Sequence, residues 1–338
     1  MNLNKGCYLI AEVAQAHEGS LGIAHAYIDE VADIGLNAIK FQAHFADEES
    51  TKDEKFRIPL SGQDKTRYDY WKRMEFTIEQ WDGLKKHCDS RGIDFLCSPF
   101  SKYAVDLLSN IGMTRWKIGS GEVINKELLD HVRTKKCEHI YVSTGMLTSD
   151  EVNELYAYME GHDLEWTMMH CTSMYPAPLE KLNLGRIKSY QDIYECPIGY
   201  SDHSANINAA ITSIGYGITA YEGHIVLKRT QYGPDSSSSL TVDEFKKLRE
   251  FKDDYEKLKG NEHKNDIDVT DININRELFS KSLCLKESQK AGTMIEEKML
   301  TLKKPGNGIR KEEIGMVVGR RLRKDWPHDR ILRMDSLE

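Results

Sequence analysis

Two lysines, five serines and two histidines recur at one kind of place in this sequence, at or just beyond the end of a short apolar run. Lys40 and Lys117 are ammonium groups in an otherwise acidic chain, and Ser98, Ser120, Ser143, Ser173 and Ser201 are small hydroxyls, several beside Gly or Pro. Two lysines with a ring of hydroxyls and loop amides have the composition of a phosphate-binding pocket. His203 and His224 close consecutive runs. Two neutral imidazoles with room for water suit a divalent transition metal such as manganese, iron or zinc. They are too few for a closed structural zinc site, and open positions are what a Lewis-acid metal needs to take a carbonyl oxygen. Glu12 and Glu122 are candidates for acid–base work or for holding hydroxyl groups. Asp235, in Gly233-Pro234-Asp235, could bind a polyol or close an Asx turn.

Each residue alone has an ordinary structural reading. Lys40 could edge a solvated strand, His170 could be a hydrogen-bonded core imidazole, and His203 and His224 could be held by hydrogen bonds only. Eight runs all ending in polar groups are harder to explain as packing, because a barrel built for stability alone needs none of them.

The elements that must position these groups alternate along the chain. Strand-like apolar runs are Tyr8–Ala11, Asn37–Phe41, Ile93–Leu96, Arg115–Ile118, His139–Val142, Trp166–Met169, Pro197–Tyr200 and Ile218–Tyr221. Between the first two, Ile23, Tyr27, Val31 and Ile34 recur at helical spacing. Further helical patterns cover about 77–90, 101–110, 126–133, 148–160, 183–192, 205–215 and 241–258. Thr148-Ser149-Asp150-Glu151 offers Thr or Ser as an N-cap with acids in the first turn, and Thr241 with Glu244 has capping-box spacing. An open doubly wound sheet also alternates, but eight strand–helix units over about 250 residues is the count of a (β/α)8 barrel. Barrel chemistry sits at the C-terminal strand ends. Those ends carry Glu12, then Lys40 with Gln42 and His44, Ser98, Lys117 with Ser120 and Glu122, Ser143, His170 with Ser173 and Tyr175, Ser201 with His203, and Glu222 with His224.

Two stretches break the rhythm. Residues 43–75 are long, charged and aromatic-rich, which after a barrel strand reads as an active-site loop. Residues 255–278 are strongly charged and read as an interdomain connection. The expected organisation is therefore a barrel over 1–265, a linker over 266–278 and a small, mostly β module over 279–338.

The 338 residues contain 46 Lys+Arg and 54 Asp+Glu, a net charge of −8, so a global basic footprint for nucleic acid is absent. No run approaches the roughly 18 apolar residues of a bilayer span. The start, MNLNKGCYLIAE, does not read as a signal peptide. Seven dispersed cysteines with no CxxC pair read as reduced thiols of a cytoplasmic protein. Membrane, secreted-disulfide, zinc-ribbon and fibrous classes are disfavoured together.

The ordered series of motifs resembles the sialic acid synthases: the N-acetylneuraminate synthases and their pseudaminic and legionaminic acid relatives. It runs through Ile10-Ala11-Glu12, Ile39-Lys40-Phe41-Gln42, Ser98-Pro99-Phe100, Trp116-Lys117-Ile118-Gly119-Ser120-Gly121-Glu122 and Ser143-Thr144-Gly145-Met146. It continues through His170-Cys171-Thr172, Tyr175-Pro176-Ala177-Pro178, Gly199-Tyr200-Ser201-Asp202-His203, Glu222-Gly223-His224 and Gly233-Pro234-Asp235. The tail, with Lys303-Lys304-Pro305-Gly306-Asn307-Gly308, is similar to the family's antifreeze-like (SAF) domain.

The resemblance implies a (β/α)8 barrel with a SAF cap. The implied reaction condenses phosphoenolpyruvate with an N-acetylated hexose, typically N-acetylmannosamine, to a nine-carbon 2-keto acid plus phosphate. A divalent metal, manganese first with magnesium or cobalt as alternatives, falls to His203 and His224 and polarises the sugar aldehyde. Lys40, Lys117, Ser120, Ser143 and Ser201 match phosphoenolpyruvate positions, with Ser98 and Ser173 beside them. Glu12 matches a carboxylate near the metal and the reacting carbons. Gln42, Glu122, Tyr175 and Asp235 match sugar-side positions. The family forms a homodimer in which one chain's small domain caps its neighbour's barrel, and an arginine of that cap meets the sugar's acyl group. Here that position is Lys304, which lacks the planar fork. The family commonly has Asn-His after its first strand, where this chain has Gln15-Ala16-His17-Glu18, and often has Asn where Ser173 stands. These departures cluster on substrate recognition and keep a 2,4-diacetamido hexose open as the acceptor. A non-catalytic barrel that binds a sugar or phosphate, and an aldolase using a Schiff base on Lys40 or Lys117, are the competing readings.

Overall fold

Eight strands form where the apolar runs lie: β1 (Tyr8–Ala14), β2 (Ala38–Ala43), β3 (Asp94–Pro99), β4 (Arg115–Ile118), β5 (His139–Ser143), β6 (Trp166–Cys171), β7 (Ile198–Asp202) and β8 (Ala220–Val226). The structure, a computed structural model, describes residues 6–58, 63–260 and 269–338. Each strand pairs in parallel with the next, and β1 pairs with β8 from Tyr8↔Ala220 to Glu12↔His224. That closing pair makes the sheet a (β/α)8 barrel and excludes the open alternative. A short β9 (Ser239–Thr241) adds to β8. Most strands run one to several residues past their apolar cores, so Glu12, Lys40, Ser98, Glu222 and His224 lie inside strands with fixed side-chain directions.

The helices are α1 (Leu21–Ile34), α2 (Ala46–Glu49), α3 (Arg67–Met74), α4 (Ile78–Arg91), α5 (Lys102–Asn110), α6 (Lys126–Arg133), α7 (Ser149–Glu160), α8 (Gly185–Ile193), α9 (Ile207–Gly215), α10 (Val242–Lys259) and α11 (Val269–Phe279). The expected capping box at Thr241 forms, and of the two N-cap candidates Thr148 takes the role, with a capping box to Glu151. Thr148 N donates to Glu151 at 2.7 Å, and Thr241 N donates to Glu244 at 2.8 Å.

The barrel has two apolar compartments because strand side chains alternate between faces. Leu9, Ala11, Val13, Ile39 and Phe41 face outward and pack with Tyr27, Ile28 and Val31 of α1 and Trp81 and Leu84 of α4. Tyr8, Ile10, Ala38, Leu96, Tyr141, Met169 and Ala220 form a separate buried cluster that plugs the interior. Two residues further along the same strands come Glu12, Lys40, Ser98, Ser143, Cys171 and Glu222. Alternation therefore stacks a polar layer directly on the apolar floor.

Residues 43–75 carry α2 and α3 and a small core of their own, Ala46, Tyr70, Trp71 and Met74. The chain divides into two compact units, Met1–Lys259 and Gly260–Glu338. Of the expected linker over 266–278, residues 269–278 are helical in α11, and 266–268 lie outside the described residues. The charge density that marked this stretch as a connection left its conformation open, and Ile274 and Leu278, four apart, have helical spacing. In the second unit β10 (Ser282–Leu285) pairs antiparallel with β11 (Leu300–Lys303). Leu283, Leu285, Ile295, Leu300, Val317, Leu322, Leu332 and Leu337 form its core. Among the described residues, no helix is long and apolar enough to cross a membrane.

Candidate active site

A cavity of about 400 Å³ opens at the C-terminal ends of the strands. Its lining includes Glu12, Lys40, Gln42, Ser98, Lys117, Ser120, Glu122, Ser143, Tyr175, Ser201, His203, His224 and Asp235. The predicted residues scattered over more than two hundred positions thus meet in one space. One residue assigned to this chain's own site does not join them. Ser173 is not part of the lining; it stands over Gly145, where an added Cβ would lie 2.5 Å from the Ser173 hydroxyl oxygen and 2.9 Å from that of Ser120. Gly145 is therefore required by close approach, and its N–H donates to Ser120 Oγ at 3.1 Å. Lys304 belongs to the second unit, with its ammonium 5.3 Å from the Phe279 ring centroid.

The two lysines are not a bare cationic pocket. Lys40 Nζ lies 3.0 Å from Glu12 Oε1 and 3.4 Å from Glu222 Oε1, and Lys117 Nζ lies 3.6 Å from the same Glu222 oxygen. Glu222 thus bridges both ammonium groups. Lys40 also donates to Ser98 Oγ at 3.2 Å, and Lys117 to Ser143 Oγ at 2.6 Å. Gln42 Nε2 donates to Glu12 at 2.6 Å, and Ser201 Oγ to Glu222 at 3.1 Å.

Burial acts on all four charges, and the neighbours decide each outcome. Burial raises the Glu12 pKa, with Glu222 adding and Lys40 opposing. Burial would also raise Glu222, but Lys117 and Lys40 outweigh it and hold that carboxylate below its usual range. Burial opposes the charge of Lys40, yet Glu12 and Glu222 carry its pKa upward. At Lys117 burial wins, and the pKa falls. Glu12 and Lys117 are thus the two members whose proton is most readily exchanged.

The imidazoles of His203 and His224 face one another with centroids 5.4 Å apart. His203 Nδ1 lies 3.0 Å from the Thr172 carbonyl oxygen. A carbonyl accepts, so Nδ1 carries the hydrogen and Nε2 is the ring nitrogen left for a ligand; Cys171 and the Thr172 carbonyl outweigh burial and raise this ring's pKa. Burial first, then His203 and Lys40, push the His224 pKa well down, so that ring is neutral, and its Nδ1 is buried without a hydrogen-bond partner. Glu12 Oε2 and Glu222 Oε2 are also buried without partners. Unpaired buried polar atoms are costly and rare, and three converging on one cavity mark a place where a ligand completes the bonding.

At the outer end Arg57 Nη2 donates to Asp235 Oδ1 at 2.6 Å, and the guanidinium sits 4.4 Å from the Tyr175 ring centroid. Tyr175 in turn lies 4.1 Å from the His203 ring. His44 is sandwiched between Trp71 at 3.8 Å and Phe100 at 4.2 Å, and its Nδ1 is 2.7 Å from Glu49. Asn125 donates to the half-buried Glu122 at 3.2 Å.

Glu222, Arg57, Glu49 and Cys171 line the cavity without having been assigned a role. Glu222 was legible, since it lies two residues before His224 and shares its strand face. Cys171 follows Met169 in the same way. Arg57 lies in an aperiodic loop and Glu49 ends the four-residue α2, too short a helix for spacing to carry a directional signal.

Residues 27–264 match a family model described as the NeuB family. The N,N'-diacetyllegionaminic acid synthase of Legionella pneumophila is 31% identical over 324 residues, spanning 94% of this chain and 90% of that protein. The human N-acetylneuraminate-9-phosphate synthase is 29% identical, spanning 94% of this chain and 88% of its own. The N-acetylneuraminic acid (sialic acid) synthetase of Leptospira borgpetersenii, solved with citrate, superposes with a TM-score of 0.71 at 29% identity over 80% of this chain and 91% of that one. A match over well beyond half the sequence, on a barrel whose strand ends gather the motif residues in one cavity, places the chain in the NeuB family, that of the sialic acid synthases.

Proposed function

We propose that the protein condenses phosphoenolpyruvate with an N-acetylated hexose, N-acetylmannosamine or a related acetamido sugar, to a nine-carbon 2-keto sugar acid and phosphate, in a metal-dependent reaction. One observation carries the reading: the lysine pair and the histidine pair face the same cavity. Lys40 and Lys117, with Ser98, Ser120, Ser143 and Ser201, bind the carboxylate and phosphate of the donor. The arriving anion competes with Glu222 and Glu12 for the lysines. Glu12, already raised by burial, takes up a proton when that negative charge is added. As C3 of phosphoenolpyruvate bonds to the aldehyde carbon, Glu12 can give that proton to the aldehyde oxygen; water adding at C2 returns a proton to Glu12, and the C2–O bond then breaks so that phosphate leaves with the proton of the C2 hydroxyl. Gln42, Glu122, Tyr175 and Asp235 hold the acceptor.

His203 and His224 suit a divalent cation: burial keeps the His224 ring neutral, and the Thr172 carbonyl orients His203, whose Nε2 would offer its lone pair to an ion once the ring gives up the proton that its neighbours favour. Among the described residues no third His, Cys, Asp or Glu completes a cage, so open positions would remain. Such an ion, most simply Mn²⁺, supplies Lewis-acid polarisation of the aldehyde when bound. The 279–338 unit is read as an antifreeze-like cap that serves the neighbouring barrel in a homodimer, bringing Lys304 toward the acceptor. A diacetamido hexose is the alternative acceptor, because the Legionella relative is named for a diacetylated product.

The test is phosphate release from phosphoenolpyruvate and Mn²⁺ with a panel of N-acetylated hexoses. One sugar should give a signal, and His203→Ala should abolish metal-dependent turnover while the circular-dichroism spectrum is kept. Silence with every sugar, or full activity of His203→Ala after chelation, overturns the reading.

A further inference from the structure

The ring of His44 is clamped on both faces, stacked at 18° on Trp71 and at 16° on Phe100. Its two nitrogens therefore have fixed directions, and each meets a polar group. Nδ1 lies 2.7 Å from Glu49 Oε1 on α2, and Nε2 lies 3.0 Å from Gln42 Oε1 on β2. Gln42 Nε2 in turn donates to Glu12 Oε1 at 2.6 Å. Gln15, just after β1, donates from Nε2 to Gln42 Oε1, and the same nitrogen lies 3.1 Å from His44 Nε2. An unbroken hydrogen-bond path thus joins the loop helix α2 to a carboxylate of the buried charge group.

The path fixes where its hydrogens sit. A turned Gln42 amide would set its oxygen against the Glu12 carboxylate, so Oε1 faces His44. That oxygen only accepts, and the close approach of His44 Nε2 requires Nε2 to carry the hydrogen. A neutral ring then keeps its lone pair on Nδ1, and the partner that suits it is a protonated Glu49. Burial favours the same state, with side-chain exposures of 6% for His44 and 9% for Glu49, so water does not screen this pair. Glu54 and Glu75 add to the effect on Glu49, and Arg67 opposes it. Around the ring, burial and Arg67 outweigh Glu54, Asp235 and Glu122 and keep it neutral. Losing one proton from the pair reverses every donor. The bridging hydrogen passes from Glu49 to Nδ1, the Nε2 hydrogen leaves to solvent, and Nε2 becomes an acceptor for Gln15. Gln42 Oε1 then loses one of its two donors and faces a lone pair. We propose that Glu49 is a positioning residue: through His44 it holds the Gln42 amide in the orientation that donates to Glu12, and only while the Glu49–His44 pair keeps its proton. The kinetic half of the test rests on the condensation reading, and the spectroscopic half does not.

Long-range proton–nitrogen NMR of the nitrogen-15-labelled full-length protein reads the relay directly, with the two side chains assigned by the signals lost in His44→Gln and Gln42→Met. In the wild type the His44 ring should pass from the Nε2–H to the Nδ1–H form with a midpoint at about 8, and the Gln42 side-chain amide should shift with the same midpoint. Glu49→Gln has nothing to ionise there, so both signals should stay constant. In phosphate release, the acceptor kcat/KM of Glu49→Gln relative to wild type should rise about three- to tenfold between about pH 7 and about pH 9.5, with the ratio of phosphoenolpyruvate KM values constant within about twofold. Taking the ratio cancels every titration the two proteins share. A single His44 tautomer across that range in the wild type, a Gln42 amide that does not follow it, or a flat kinetic ratio in an active enzyme overturns the relay. The wild-type spectra decide even where Glu49→Gln fails to fold. A Gln42 amide that moves with His44, without turnover of any sugar, keeps the relay and overturns the condensation reading. A still amide and no turnover overturn both.

Discussion

The inner end of the cavity is built on strands, the outer end on loops, and the same charged residue types behave differently in the two. Glu12, Lys40, Lys117 and Glu222 project from barrel strands onto an apolar floor, with side-chain exposures of 5% or less. Arg57, Arg67 and Glu54 stand on the loop at 35%, 25% and 35%. At the inner end no charge can be relieved by water, so each sets the protonation of the others. At the outer end solvent screens the pairs and each is nearly independent. Breaking the hub of the inner group should therefore have the largest effect. Glu222→Ala leaves Lys117 buried without its carboxylate, and breaking such a pair costs about 3–5 kcal/mol of stability. Urea unfolding at pH 7 reads that loss directly. Under the proposed reaction, phosphate release should also fall by about 10²–10³. A Glu222→Ala protein as stable as the wild type would show that the inner charges are not coupled.

Glu49 at the outer end and Glu222 at the inner end differ in the sign of their pH response. The Glu49 carboxyl at the outer end is raised to about 8 by burial, with Glu54 adding to it. The folded chain then holds a proton that the unfolded chain has released above its ordinary value of 4.5. Stability from this group falls as pH rises from about 4.5 to about 8 and is flat beyond. Protonated Glu49 donates to His44 Nδ1, and burial keeps that ring neutral by lowering its pKa to about 3. Glu222 runs the other way. Its depressed pKa contributes stability that is complete above the ordinary carboxylate range and lost as pH falls through the folded value. Urea midpoints of wild type and Glu49→Gln between about pH 5 and pH 9 isolate the first effect. The difference should shift in favour of Glu49→Gln as pH rises and level off near pH 8. A constant difference would mean that the outer carboxyl ionises normally.

This contrast also explains which parts of the site could be read in advance. Strand-borne residues obey an alternation of two, so Lys40, Ser98 and His224 were found from the runs they terminate. The partnership of Glu222 with both lysines was not, because it depends on the closing register, which sets Ile10 against Glu222 and Glu12 against His224. No local pattern states which strand closes on which. Ser173 failed for a related reason: it follows β6, beyond the last residue whose direction the pleat fixes. In the loop, Arg57 carried no signal beyond its charge. The eight-unit fold was legible because each strand–helix unit has its own periodic signature, whereas the helix α11 within the stretch read as a connection went unseen because its charge masks a weak periodicity. The net charge of −8 was informative about nucleic acid and uninformative about the pocket, where two lysines and two glutamates nearly cancel.

The smallest effect separates the ends most cleanly. Asp235 is nearly buried, and burial raises its pKa despite Arg57, so its charge is on balance a cost to the fold. Its partner is 35% exposed, and such pairs contribute about 0–1 kcal/mol. Asp235→Asn should therefore change stability by less than about 1 kcal/mol, against several for Glu222→Ala. Its signature is kinetic. Without the carboxylate Arg57 loses its anchor, so the acceptor KM should rise several-fold, while the phosphoenolpyruvate KM, set by the strand-borne lysines, stays put. A rise in both constants would mean that the loop and strand ends act as one unit. A stability loss as large as that of Glu222→Ala would mean that Asp235 belongs with the buried group despite its loop position.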